Sequence, residues 1–151
     1  MKKPFLNLLY DLSSEIGLEL YPDDHGACKL LLSNQMKIQI ELDPREEILY
    51  VICMISPLPP GKFRENVLKH ALYGNHFANS TYGILCYIEK LSSLALTESI
   101  PLDSITTDSL LDLMLHMSEK GLEWKQALEQ NHPAPFVMKI PSQLPSKKLA
   151  S

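Results

Sequence analysis

The chain has 151 residues, 45% of them apolar and 21% charged, with 18 acidic against 14 basic side chains and a net charge of −4. A chain of this length suits one domain with one core, and an acidic balance with pI near 5.7 supplies no basic field for a phosphate backbone, which excludes nucleic acid as the expected partner. No stretch approaches the roughly 20 apolar residues that span a bilayer, so membrane insertion is not expected either.

The opening MKKPFLNLLYDLSSEIG has two lysines ahead of an apolar run, but Asn7 and Asp11 interrupt the run and no small-residue cleavage pattern follows. It reads as structure in a cytoplasmic protein, not as a secretory leader. Phe5, Leu8, Leu9, Leu12 and Ile16 fall on one face at helical spacing, which predicts an amphipathic helix over 5–16 ending at Gly17. Leu6 and Tyr10 lie roughly 100° or more from Phe5, outside the core stripe, and form a second apolar edge.

After Gly17 the pattern changes to period two, so GLELYP, ACKLLLS and MKIQIELD predict strands, with turns at DDHG and SNQ. ILYVICMIS, residues 48–56, is apolar at almost every position and predicts a central strand covered on both faces, by helix on one side and by helix, sheet or partner on the other. PLPPG ends that strand and opens a helix over about 61–74. This helix carries two apolar stripes, Phe63, Val67 and Ala71 on one and Leu68 and Leu72 on the other, and one core covers only one of them. Gly74 and Asn75 suit a left-handed helix end, so Asn75 is expected as a C-cap or turn residue.

ILCYI at 84–88 and LALTESI at 94–100 predict a hairpin joined by EKLSS. Thr107 or Asp108 caps a third helix running to about Gln130, whose apolar residues from Leu110 to Leu128, Met114 and Met117 among them, cover an arc wider than one core contact needs. The closing NHPAPFVMKIPSQLPSKKLAS holds four prolines and no period, which predicts an extended or disordered tail over 131–151 behind a domain at 1–130.

The chemistry-bearing residues do not assemble into a catalytic pattern. Cys28, Cys53 and Cys86 are odd in number and each sits among strand-like apolar residues, as buried reduced thiols do. Cys86 lies mid-strand between Leu85 and Tyr87, without the electropositive setting that makes a thiolate. His70 and His76 are six apart, not the four that align two ligands on one helix face, and neither a Walker A nor a dinucleotide glycine pattern occurs. No metal, cofactor or enzymatic activity is expected; a thiol-dependent enzyme using Cys86 or Cys53 is the rival from that class.

The order helix, three strands, helix, hairpin, helix resembles the class I type III secretion chaperones of the CesT/SycE type over residues 3 to about 130. The likeness rests on LLYDLSSEIGLELYPDDHGACKLLLS, on ILYVICMISPLPP, on LKHALYGNHF leading to YGILCYIEKLSSLALTESIPLDSI, and on LEWKQAL, with Leu72, Asn75, Gly83, Leu96 and Trp124 where that pattern places them. The resemblance implies an α+β fold of one twisted antiparallel sheet with three helices, and a homodimer. It also implies a function: binding the N-terminal segment of one or more effectors, keeping it unfolded or soluble and delivering it for secretion, with the ATPase of the secretion apparatus as a further partner. The effector-binding candidates are then Leu6 and Tyr10 with Met114 and Met117 of the third helix, and the dimer-interface candidates are Phe63, Val67, Leu68, Ala71 and Leu72. A regulatory or adaptor protein of the same fold, binding a folded partner, would use the same apolar residues.

Overall fold

The computed structural model describes residues 3–77 and 82–135, and of Phe77 the backbone alone. Residues 1–2, 78–81 and 136–151, the last holding most of the proline-rich stretch, lie outside the described residues.

Helix α1 (Lys3–Ile16) buries Phe5, Leu8, Leu9 and Leu12, the stripe its spacing predicts. It ends where Gly17 turns to φ +72° and the Gly17 N–H donates to the Ser13 carbonyl at 2.9 Å, a conformation that costs glycine nothing. Five strands follow: β1 (Ala27–Leu31), β2 (Lys37–Leu42) and β3 (Ile48–Pro57), then α2 (Lys62–Phe77), then β4 (Ile84–Ile88) and β5 (Ser93–Pro101), with α3 (Thr107–Glu129) last. They form one antiparallel sheet in the order β1-β2-β3-β5-β4, so β3 is central and β1 and β4 are its edges. The fold is α+β, as expected.

Three details depart from the pattern reading. GLELYP joins no strand, because the Leu20 N–H donates to Ser13 Oγ at 3.1 Å and ties the stretch to α1 instead of to a ladder; alternation specifies faces, not partners. Helix α2 passes through Gly74 and Asn75 to Phe77. The cap of α3 is Thr106, one residue earlier than expected: its Oγ1 accepts from the Ser109 N–H at 3.1 Å and Ser109 Oγ accepts from the Thr106 N–H at 3.1 Å, a reciprocal pair that satisfies two otherwise orphaned donors.

The core lies between the sheet and the helices α1 and α3. Leu49, Val51, Cys53 and Ile55 of β3 and Ile38, Ile40 and Leu42 of β2 are buried, and α3 crosses β2, β3 and β5 while α1 packs on α3. The opposite face of β3 is different: Tyr50 is exposed and Ile52 and Met54 are half-buried, so the described residues cover the all-apolar strand fully on one side only.

Close contact between α3 and the sheet depends on Gly121. A Cβ placed there would stand 3.0 Å from Cys53 Sγ and 3.1 Å from Met36 Cε, and both of those side chains are buried with little room to yield. Gly121→Ala is therefore expected to destabilise the fold by about 1–3 kcal/mol through overpacking, although alanine is the better helix former. Thermal unfolding followed by circular dichroism should show Tm falling by roughly 3–10 °C; an unchanged or raised Tm would mean that α3 can lift off β3 without cost.

Candidate functional site

The thiols are placed for packing. Cys28 and Cys53 are buried, and burial pushes both up, Cys53 to about 12, which keeps it protonated at neutral pH. Cys86 is half-buried within β4. Among the described residues, no three His, Cys, Asp or Glu side chains come together as a metal ion would require.

A groove opens beside α1. Leu9 and Leu20 form its buried floor, Leu6 and Tyr10 stand on the helix side, and Tyr21 and Pro22 stand on the opposite wall, around a volume of about 320 Å³. Tyr10 and Tyr21 are each 73% exposed and Leu6 41%, so large apolar side chains here lie in water that no other described residue removes them from. The Ser13–Leu20 bond holds the wall, and Asp23 anchors its far end. Its carboxylate accepts the N–H groups of Ala27 at 3.0 Å and His25 at 2.8 Å, and these bonds, that from Ala27 first, keep the acid below its ordinary pKa. The sequence could not reveal Tyr21 as a wall residue, because its neighbours alternate as a strand would.

The two sheet edges are finished differently. The Leu42 N–H donates to the Gly26 carbonyl and the Leu32 N–H to the Met36 carbonyl, both at 3.0 Å, which sets the phase of the β1–β2 ladder. With Cys28 opposite Ile40 and Leu30 opposite Ile38, those residues exchange bonds with β2, while Ala27, Lys29 and Leu31 turn their N–H and C=O groups outward. Asp23 takes the Ala27 pair, its own N–H donating to the Ala27 carbonyl at 2.8 Å. Among the described residues nothing takes those of Lys29 and Leu31, so these two residues of β1 present a short open edge. On β4 the matching position is closed: Asn75 Nδ2 donates to the Leu85 carbonyl at 2.8 Å and its Oδ1 accepts from the Leu85 N–H at 2.9 Å. Asn75 is thus no helix cap. Its carboxamide stands where a sixth strand would pair.

The remaining expected site residues divide by burial. Met114 and Met117 are 0% exposed and belong to the core under α3, because the wide apolar arc of that helix is used against both α1 and the sheet; in this fold they offer no surface to a partner. The large apolar side chain of α3 that is exposed is that of Leu115. On α2, Val67 and Ala71 are interior, taken up by this chain's own core, and Phe63 and Leu68 are half-buried against it. Leu72 alone of the five stands free, at 72% exposure, and Ile84 at the start of β4 is also exposed. Arg64 on the same helix donates from Nη1 to the Tyr87 hydroxyl at 2.8 Å, fixing α2 against β4.

Comparison with known proteins gives one sequence family and one fold. The model of the Tir chaperone protein (CesT) family matches residues 7–131. Among solved structures, a chain of the HopA1–SchA chaperone–effector complex is similar at 25% identity, TM-score 0.66, with 82% of this chain and 94% of that chain covered. A chain of the ExsC–ExsE complex is similar at 19% identity, TM-score 0.62, covering 80% and 90%. The type III secretion chaperone SycH of Yersinia pestis, in complex with a stable fragment of YscM2, is similar in fold at 13% identity, TM-score 0.57, covering 78% and 96%. No curated protein matches significantly.

Closure of the β4 edge by one side chain makes a direct prediction. Asn75→Ala leaves both main-chain groups of Leu85 without a partner at a buried residue, a loss of about 1–3 kcal/mol. Asn75→Asp keeps the acceptor and loses the donor to the carbonyl, so urea unfolding should show it destabilised as well. A fully stable Asn75→Asp would show that the bond to the carbonyl contributes nothing.

Proposed function

We propose that this chain, which belongs to the Tir chaperone protein (CesT) family, is a type III secretion chaperone whose client is an effector protein, bound through an extended N-terminal segment of that effector. The observation that carries the binding mode is the adjacency in sequence and space of the α1 groove and the open β1 edge: Pro22 ends one, and the Asp23 turn leads directly into the other. A disordered segment must offset the entropy of its own ordering, and this surface supplies the two means of doing so. Apolar anchors fill the groove beside Leu6, Tyr10 and Tyr21, each anchor worth roughly 1.5–3 kcal/mol when fully buried. Main-chain bonds to Lys29 and Leu31 add affinity that does not depend on the client's side chains. Binding of this kind holds the segment soluble and unfolded without any chemical step, and we infer that the chain is no enzyme.

The working form on this reading is a homodimer in the cytoplasm that hands its client to the ATPase of the secretion apparatus. No helix among the described residues is long and apolar enough to cross a membrane. The second copy is assigned to Leu72 with half-buried Phe63 and Leu68 of α2, joined by Ile84, since this apolar surface flanks β4 and is left over after the core is filled. The domain is assigned to residues 1–130, although Ala134 is already buried in the core.

Leu6→Asp combined with Tyr10→Asp should leave folding intact, since both residues are exposed, and weaken client capture by at least about tenfold, equivalent to roughly 1.4 kcal/mol. The check is a titration with an effector's N-terminal segment, alongside hydrogen exchange: the Lys29 and Leu31 amides should exchange quickly in the free protein and become protected in the complex. Wild-type affinity in the double variant would move the site elsewhere.

The dimer is tested separately. Leu72→Asp places a charge on a surface where a stable pair buries on the order of 1,200 Å² or more in total, and light scattering should report a monomer that retains the wild-type circular dichroism spectrum. A wild-type chain already monomeric at micromolar concentration would defeat this assignment.

A further inference from the structure

The face of the sheet turned away from α3 carries a second groove, between the first three strands and the turn after β4. The register places side chains there in rows: Lys29, Gln39 and Ile52 in one, Leu31, Lys37 and Met54 in the next. The 3₁₀ turn Glu89–Leu91 brings Leu91 alongside, and the whole encloses about 490 Å³ lined by Leu31, Met54, Leu91, Gln39 and the two lysines. Leu31 and Leu91 are 50% and 58% exposed. The all-apolar strand β3 thus presents Ile52 and Met54 to a surface that the described chain leaves partly bare.

Charge identifies the occupant. The chain as a whole carries −4, yet this groove is lined by two lysines and no carboxylate, and among the described residues neither lysine is in an ion pair. Asp23 lies near enough for Lys29 to help lower its pKa, but its carboxylate is committed to the N–H groups of His25 and Ala27. The chain's own stretch beyond residue 135 carries Lys139, Lys147 and Lys148 and no acid, the wrong sign for this rim. An isologous contact with a second copy centred on the groove would set lysine against lysine, which is unfavourable. The complement is a segment of another protein that alternates aliphatic and acidic residues: aliphatic side chains fill the space between Leu31, Met54 and Leu91 while carboxylates meet Lys29 and Lys37.

We propose that the open sheet face formed by Lys29, Leu31, Lys37, Met54 and Leu91 is a docking groove for an acidic, leucine-bearing protein segment, distinct from the α1 groove. It gives the protein a selection for acidic segments that the α1 groove, lined by Glu19 and no basic residue, does not supply, and it stands whether or not the α1 reading is correct.

The test uses the full chain and two fluorescein-labelled 12-residue peptides, one alternating leucine with glutamate and one alternating leucine with lysine, followed by fluorescence anisotropy. The acidic peptide should bind at least about tenfold more tightly than the basic one, and the gap should narrow as ionic strength rises. Lys29→Glu with Lys37→Glu, both exposed or half-exposed rim positions, should reverse the preference. Met54→Lys should weaken both peptides. Leu6→Asp with Tyr10→Asp should leave the preference unchanged, which separates this groove from the one beside α1. Equal binding of the two peptides, or a charge-reversed variant that behaves as wild type, overturns the proposal. So does loss of a wild-type dimer on Leu31→Asp, since light scattering would then assign this face to a second copy.

Discussion

The fold is organised around a strand that one layer of helix leaves incompletely covered. Strand β3 is apolar on both faces and central in the sheet. Only its Leu49, Val51, Cys53 and Ile55 side is fully buried, against α3. That side is packed closely enough for Gly121 to be needed under Cys53 and Met36. A two-layer α+β domain buries one face of its sheet well and leaves the other to water or to partners. Tyr50, Ile52 and Met54 are the consequence, since they are strand-forming side chains on a face that the described residues do not close.

The same asymmetry governs the edges. A sheet with two free edges would invite pairing at both, with loss of control over what pairs where. Here a carboxamide from α2 occupies the main-chain groups of Leu85 on β4, and an Asp23 turn occupies those of Ala27 at one end of β1. On β1, among the described residues, a stretch from Lys29 to Leu31 stays open, bordered by the α1 groove on one side of the sheet and the lysine-rimmed groove on the other. On the proposed reading, narrowing main-chain recognition in this way turns a sticky surface into a directed one.

Function of this kind needs little polar precision, and the polar chemistry of the chain is spent on architecture. Asp23 and Asp43 use their carboxylates on turn N–H groups, Thr106 and Ser109 cap α3, and Asn75 closes an edge. The most buried thiol is held protonated at neutral pH. The proposed binding surfaces are instead made of exposed apolar side chains, among them Leu6, Tyr10, Tyr21, Leu31, Leu72 and Leu91.

Apolar patterning by itself placed the three helices and the five strands along the chain, though not their β1-β2-β3-β5-β4 order in the sheet, because burying one face imposes a repeat of 3.6 on a helix and of 2 on a strand wherever it occurs. For the same reason it separated Leu6 and Tyr10 from the core stripe of α1, a matter of angle within one element. Tertiary structure decided whatever depended on a second element. Met114, Met117, Val67 and Ala71 have the same apolar spacing whether they meet solvent or a neighbouring layer, and only the packing of α1, α3 and the sheet made them interior. Leu18 to Pro22 alternates like a strand but was claimed by Ser13, and Asn75, suited by type to end a helix, was drawn instead to the main chain of a strand ten residues later. A pattern states which side of a segment avoids water; which partner removes it from water is settled by contacts between residues distant in the chain.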